Sequence, residues 1–236
     1  MSEFIDEELR GLAASIGIKK GQKFAPDERM KKILTDAVAV GNATARAISF
    51  RNRDPRTVMW PNSQWKTTFI NNDYRWLDGD AMGGLNSDAR TFFYYIATVN
   101  TPKMTAKMVG KGSQYAIIYA DKAGNTLNGA KTYSLNVPAN APANDFWSVV
   151  LYDPQTRSEL QTGQPFPGKN SKKGELVANA DGSVDLYFAP TAPAGKEKNW
   201  LQTVPGKGWF ALLRLYGPTE PWFDQTWRPG EIEEVG

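Results

Sequence analysis

Hydrophobic positions follow a helical spacing in the first fifty residues of the chain and an alternating spacing over most of its second half. The helical part predicts a short helix over 4–16 and a longer one over 26–49, opened by a proline. A third helix is predicted over 80–99, with two glycines inside it and a new N-cap at Asn86 or Ser87. The first hundred residues are therefore expected to be helical and irregular.

Alternating residues after position 100 predict strands joined by turns. The strands are expected over 114–120, 130–137, 146–152, 184–188 and 209–216. The first two are predicted to form a hairpin, and Asp181-Gly182 predicts another hairpin between 175–179 and 184–188. The expected fold class is α+β, with N-terminal helices followed by an antiparallel jelly-roll-like β-sandwich. The expected division is a helical and irregular segment over 1–100 and a sandwich domain over 101–236.

The distribution of charge argues against nucleic-acid binding, and the hydropathy pattern argues against a transmembrane segment. The chain of 236 residues has 28 basic and 25 acidic residues, and the net charge of +3 is not gathered into a basic block. Nucleic-acid binding is therefore not expected. No apolar run is long enough for a transmembrane segment, and the acidic N-terminus does not have the pattern of a signal peptide.

The absence of histidine and cysteine removes whole kinds of chemistry. A Ser-His-Asp triad, a cysteine nucleophile and a metal site with histidine or thiolate ligands cannot be built from this chain alone. Carboxylate, lysine, tyrosine and arginine chemistry remains, together with oxygen-ligated cations. We expect no metal site and no cofactor.

The strand predicted over 209–216 carries the leading candidate for a binding residue. Alternation places Arg214 and Tyr216 on one face of that strand, and it places Asp185 and Tyr187 on one face of the strand over 184–188. If these faces coincide, the four residues form a polar patch in which Asp185, Asp145 or Glu220 pairs with the guanidinium group. The alternative is a structural ion pair between strands.

Two further residues complete the candidate site. Trp147 offers a flat aromatic face beside polar groups, which suits a sugar ring, although burial in the core explains it equally. Glu220 and Asp224 lie four residues apart on a predicted helical turn, a spacing compatible with acid and base roles and also common on solvated helix faces.

Several short motifs give the chain a family resemblance. It resembles the C-terminal half of a bacterial family that joins domain of unknown function 1254 to domain of unknown function 1214. The resemblance implies a jelly-roll-like sandwich preceded by helices, in proteins that are often periplasmic or secreted and have no settled activity. It also implies a further N-terminal domain, which we expect to be missing from this sequence. The motifs are Asn72-Asp-Tyr74, Gly124-Asn-x-Leu-x-Gly129, Asp145-Phe-Trp-Ser-Val-Val-Leu-Tyr-Asp153, Asp181-Gly-Ser183, Asn199-Trp-Leu201, Arg214-Leu-Tyr-Gly-Pro218 and Trp227-x-Pro229.

These patterns leave three functions open. The first is a binding or assembly domain that holds a small polar molecule or a carbohydrate in a groove of aromatic residues and arginine. The second is a hydrolase or lyase that uses carboxylate, tyrosine or lysine, active either by itself or only together with the N-terminal domain. The third is a structural module that forms a homo-oligomer.

Overall fold

The strands lie after residue 100, where apolar and polar residues alternate, and the three longer helices lie before it, where the spacing is helical. The computed structural model describes residues 7–79 and 84–235. Its helices are α1 (Glu7–Ser15), α2 (Glu28–Phe50), α3 (Ser87–Tyr94) and α4 (Glu220–Phe223). Its strands are β1 (Ser113–Ile118), β2 (Tyr133–Val137), β3 (Ala143–Tyr152), β4 (Gly168–Asn170), β5 (Val184–Ala189), β6 (Trp200–Gln202), β7 (Phe210–Pro218) and β8 (Ile232–Glu234).

The strands form two four-stranded sheets. Sheet 1 has the order β1-β7-β3-β4 and sheet 2 has the order β6-β5-β2-β8. Neighbouring strands are antiparallel except for β5 and β6, which are parallel. The predicted α+β class with antiparallel-rich sheets is confirmed at this level.

The core lies between the two sheets because each strand buries every second side chain. In sheet 1 the inward residues of β7 are Ala211, Leu213 and Leu215, all fully buried. They share one hydrophobic cluster with Leu186 and Phe188 of β5 in sheet 2. Residues with the other parity, such as Arg214, therefore lie on the outer faces of the sandwich.

A layer around α3 covers part of the outer face of sheet 1. Phe92 of α3 is buried in a cluster with Ile117 and Tyr119 at β1 and with Phe210 of β7. The helix starts where the sequence predicts, because the side chain of Asn86 accepts a hydrogen bond from the amide of Ala89 at 2.8 Å. The part of the predicted helix over 80–83 lies outside the described residues.

Both predicted hairpins are wrong. β1 and β2 belong to different sheets, because the segment between them crosses the sandwich. Asp181-Gly182 does form a tight turn, in which the amide of Gly182 donates to the carbonyl of Asn179 at 3.0 Å. The residues before that turn form no strand, and β5 pairs with β2 and β6 instead. A turn signal fixes a chain reversal, whereas burial of the apolar face selects the strand partners.

The chain divides into two compact units, one up to Ala47 and the other from Ile48. In the first unit, α2 begins just after Asp27, whose side chain accepts from the amide of Met30 at 2.7 Å. Among the described residues, no helix is both long and apolar enough to cross a lipid bilayer. The predicted division at residue 100 stays a prediction.

Candidate functional site

Arg214 lies on the outer face of sheet 1 and has no acidic partner among the residues that the structure describes. One guanidinium nitrogen, Nη2, donates to the hydroxyl of Tyr152 at 2.6 Å, and the guanidinium carbon lies 5.7 Å from the centre of the Tyr115 ring. The Nε of Arg214 is buried and has no hydrogen-bond partner in the described part of the chain. Burial by itself lowers the pKa of Arg214, but the hydroxyls of Tyr152 and Tyr216 raise it above its ordinary value, so the side chain stays a cation.

The carboxylates proposed as partners of Arg214 lie elsewhere. Asp185 is on β5 in sheet 2, and because Leu186 and Phe188 point into the shared core, Asp185 points away from sheet 1. Its two oxygens accept from the side-chain amides of Asn136 at 2.7 Å and Asn179 at 3.0 Å. The predicted patch of Arg214 with Asp185 is therefore wrong, since the two residues lie on opposite outer faces of the sandwich.

Of three other predicted site residues, two lie away from Arg214 and one lies on the same face of sheet 1. Tyr187 shares the outer face of sheet 2 with Asp185, and its ring centre lies 5.1 Å from the ammonium nitrogen of Lys196. Trp147 points inward from β3 into the core and is only 7% exposed, so it does not share a groove with Arg214. Tyr216 does lie on the face of Arg214, where its ring stacks on Phe146 with centroids 4.2 Å apart.

Glu220 forms an ion pair with Lys107 at the start of α4. Asp224, four residues later, accepts hydrogen bonds from the amide and hydroxyl of Thr226, and the amide of Thr226 is the main cause of the lowered pKa of Asp224. One carboxylate is therefore held in an ion pair and the other is stabilised in its ionised form. A carboxyl group with a lowered pKa, such as that of Asp224, is poorly suited to act as a general acid near neutral pH.

A cavity of about 220 Å³ lies between the outer face of sheet 1 and the α3 layer. We call it the anion cavity, because the side chains of two cations, Lys66 and Arg214, line it. Arg214 lies at the sheet side of this cavity together with Tyr115, and the remaining lining is mostly apolar. The lining residues are Lys66, Thr68, Phe69, Phe93, Ile96, Ala97, Met104, Tyr115, Ile117, Leu212 and Arg214.

Lys66 is a second cation of the anion cavity that sequence reasoning missed. Its backbone pairs with Ile117, which extends sheet 1 by one bridge at its β1 edge. Burial lowers the pKa of Lys66, and the charge of Asp54 counters this only in part. The signal available in the sequence was a lysine directly after Trp65 in an otherwise uncharged stretch, but only the tertiary fold brings this stretch to Arg214.

The anion cavity combines two cations with apolar walls. No carboxylate lies within ion-pair distance of Lys66 or Arg214 among the residues that the structure describes. A half-buried cation without a counter-ion is unfavourable, and a bound anion would remove that cost. The described residues contain no group of three or more acidic side chains able to hold a metal ion.

The fold and cavity define an α+β protein with a two-sheet sandwich and a small cationic cavity on one outer face. The family model described as "Protein of unknown function (DUF1214)" matches residues 112–220. This match supports the domain of unknown function 1214 in the sequence resemblance over that range, which includes Tyr115, Arg214 and Tyr216. No curated protein matches the chain.

Two solved structures are similar to the chain. The VPA0106 protein from Vibrio parahaemolyticus has 18% sequence identity and a TM-score of 0.49, and the match covers 98% of this chain and 51% of that one. An uncharacterized protein from Burkholderia cenocepacia has 14% identity and a TM-score of 0.40, with 97% and 48% coverage. The chain thus spans about half the length of each of these proteins. TM-scores below 0.5 do not establish a shared fold.

Proposed function

We propose that this protein is a binding domain for a small anionic molecule, held in the anion cavity by Arg214 and Lys66. The observation that carries the proposal is that both cations line one mostly apolar cavity while neither has a carboxylate partner among the described residues. Such a combination suits a ligand with one carboxylate group and an apolar body. The ligand is expected to be small, because 220 Å³ is below the roughly 300–1,000 Å³ of sites for drug-sized ligands.

Arg214 is suited to hold the carboxylate because its position is fixed before binding. The hydrogen bond to Tyr152 and the ring of Tyr115 orient the guanidinium plane, and its buried Nε has a donor still to satisfy. A hydrogen bond to a charged group contributes about 1.5–3 kcal/mol, which corresponds to roughly tenfold to hundredfold in Kd.

The test is calorimetric titration of the full chain at low ionic strength with acetate, butyrate, pyruvate and benzoate at millimolar concentrations. We expect the wild type to bind at least one of them and Arg214→Met or Lys66→Met to weaken binding by about tenfold or more. Lys198→Met, which removes an exposed lysine far along the chain from the cavity, is the matched control and should bind as the wild type does. Thermal unfolding by circular dichroism checks that each variant folds. Absence of binding to the whole panel, or unchanged binding by Arg214→Met, refutes the proposal.

A second candidate function at the same cavity is lysine chemistry, which the lowered pKa of Lys66 favours. The neutral amine of a lysine adds to a carbonyl carbon, and loss of one water from the adduct leaves a C=N double bond. Arg214 would hold the carboxylate of a 2-oxo acid during this reaction. Incubation with pyruvate and cyanoborohydride, followed by mass spectrometry, should then give one reduced adduct on Lys66. Failure to trap an adduct on this residue would leave only the non-covalent function.

We also propose the finer features that the motif order implies. They are a partner domain of the 1254 type in the longer protein, export to the periplasm or the medium, and a jelly-roll order of the sandwich. The repeated crossing of the chain between the two sheets supports the last of these. Fractionation of cells that produce the full-length protein tests export, and light scattering of the purified chain tests the predicted homo-oligomer.

A further inference from the structure

A second and larger cavity, of about 540 Å³, adjoins the anion cavity. We call it the amide groove. Phe69 and Tyr115 line both cavities and therefore form the partition between them. The volume of the amide groove falls inside the roughly 300–1,000 Å³ that sites for small ligands occupy. The groove is thus large enough for a ligand of its own.

The cations of the amide groove are neutralised, in contrast to those of the anion cavity. Arg56 forms ion pairs with Asp54 at 2.6 Å and with Asp78 at 2.7 Å. Lys107 is paired with Glu220. With both charges compensated, the groove gives little preference to an anionic ligand, and its selectivity depends on neutral polar groups.

Three side-chain amides supply those neutral groups. Asn71, Asn72 and Gln114 line the groove, and their amide groups have no hydrogen-bond partner among the described residues. Each amide offers two donors and one acceptor oxygen. Gln225, by comparison, lines the groove but already donates to the carbonyl of Met59 at 2.8 Å.

The two asparagines are also held in an uncommon backbone conformation. Asn71 and Asn72 have φ angles of 56° and 53°, in the left-handed region that non-glycine residues seldom adopt. Asparagine adopts this region more readily than other non-glycine residues, which accounts for its presence at both positions.

An aromatic wall also lines the groove. Residue Tyr115 is 41% exposed, and Phe223 of α4 is half-buried. Trp222, which is buried, supports this wall through an edge-to-face contact with Trp60 at 5.5 Å between ring centroids. The groove therefore combines an exposed ring with neutral donors and acceptors.

We propose that the amide groove binds a neutral carbohydrate, with Asn71, Asn72 and Gln114 holding its hydroxyl groups and Tyr115 contacting a sugar ring. A sugar hydroxyl both donates and accepts hydrogen bonds, as a side-chain amide does, and the C–H faces of the ring pack on aromatic surfaces. The ligand is distinct from the anion held between Arg214 and Lys66, because the two cavities differ in the charge left uncompensated.

The experiment is saturation-transfer NMR and calorimetry of the full chain with maltose, cellobiose, lactose and xylobiose. The variant Asn72→Gly deletes one amide while keeping a residue that tolerates positive φ, and Gln114→Met deletes another at nearly constant size. We expect the wild type to bind at least one disaccharide. The double variant, which carries both Asn72→Gly and Gln114→Met, should bind it roughly tenfold or more weakly. Asn140→Gly is the matched control, since Asn140 also has positive φ, at 56°, and does not line the groove.

Binding that persists unchanged in the double variant overturns the proposal, as does absence of binding to all four disaccharides by the wild type. Loss of disaccharide binding in Asn140→Gly as well would show a general effect on the fold and would equally refute the assignment. The wild type separates the two proposals: binding of a disaccharide without binding of any carboxylate supports the amide groove and refutes the anion cavity, and the reverse result does the opposite.

Discussion

Filling the anion cavity should stabilise the protein and abolish anion binding without removing either cation. Ala97 lines this cavity just after α3 and is partly buried against the apolar cluster of Ile70, Trp76, Ala89 and Phe93. The substitution Ala97→Leu adds three carbon atoms, which a cavity of 220 Å³ can accommodate. Each buried methylene contributes about 0.8 kcal/mol, so the upper bound is about 2.4 kcal/mol. The cost of fixing the leucine side chain and the partial exposure of the site reduce this to about 1–2 kcal/mol.

The expected result is a rise in Tm of about 2–8 °C, because 1 kcal/mol corresponds to roughly 2–4 °C for a protein of this size. Urea unfolding followed by circular dichroism gives the free energy, and the calorimetric titration described above gives the carboxylate affinity. Ala130→Leu is the matched control: Ala130 is exposed in the segment between β1 and β2, and the change there should stay within about 0.5 kcal/mol. A destabilised Ala97→Leu variant, or one that binds carboxylate as the wild type does, would refute the placement of the cavity and its role.

Two further predictions concern the sandwich. Gly129→Ala is expected to lower the free energy of unfolding by about 2–4 kcal/mol in urea. The added Cβ would lie 2.1 Å from the carbonyl oxygen of Val204, and it would disrupt the 2.8 Å hydrogen bond from the buried Thr203 hydroxyl to the carbonyl of Gly129. Gly41→Ala in α2, where the Cβ meets no atom within 4 Å, is its control and should be neutral or stabilising, so equal effects of the two changes would contradict the reasoning. Burial raises the pKa of Asp153, but the ammonium group of Lys207 at 2.9 Å and the amide of Gln155 outweigh burial and leave the pKa lowered. The ion pair between Asp153 and Lys207 therefore stabilises the fold above the unfolded pKa of about 3.9, and this stability is lost as the pH falls. Lys207→Met should therefore cost about 1 kcal/mol at pH 7 and much less near pH 3, and an equal cost at both would show that the ion pair is not responsible.

The two cavities differ in whether their cations are paired with acidic residues. Within the described part of the chain, Arg214 and Lys66 have no carboxylate at ion-pair distance, whereas Arg56 and Lys107 in the neighbouring groove are each paired with acidic residues. The proposed anionic ligand would supply the missing negative charge.

Alternation along the chain was enough to place Arg214 and Tyr216 on one face of β7, and the register of sheet 1 agrees with that placement. The role of both residues in binding stays a prediction. The same reasoning failed for Asp185 because alternation assigns a residue to a face of its own strand and not to a sheet. β5 and β7 have equally good apolar faces, and those faces meet each other across the core. Their polar faces are for that reason as far apart as the sandwich allows.

Periodicity along the chain was sufficient to predict the local elements, and composition was sufficient to exclude some kinds of chemistry. The helical and alternating periods gave the helices and most strands, Asn86 gave the start of α3, and the lack of histidine and cysteine excluded conventional triads and thiolate metal sites. The tertiary structure alone decided the strand partners, the inward position of Trp147 and the joining of Lys66 to Arg214. The physical reason is that periodicity records which side of an element is apolar, whereas the partner of that side is selected by burial among segments far apart in the chain.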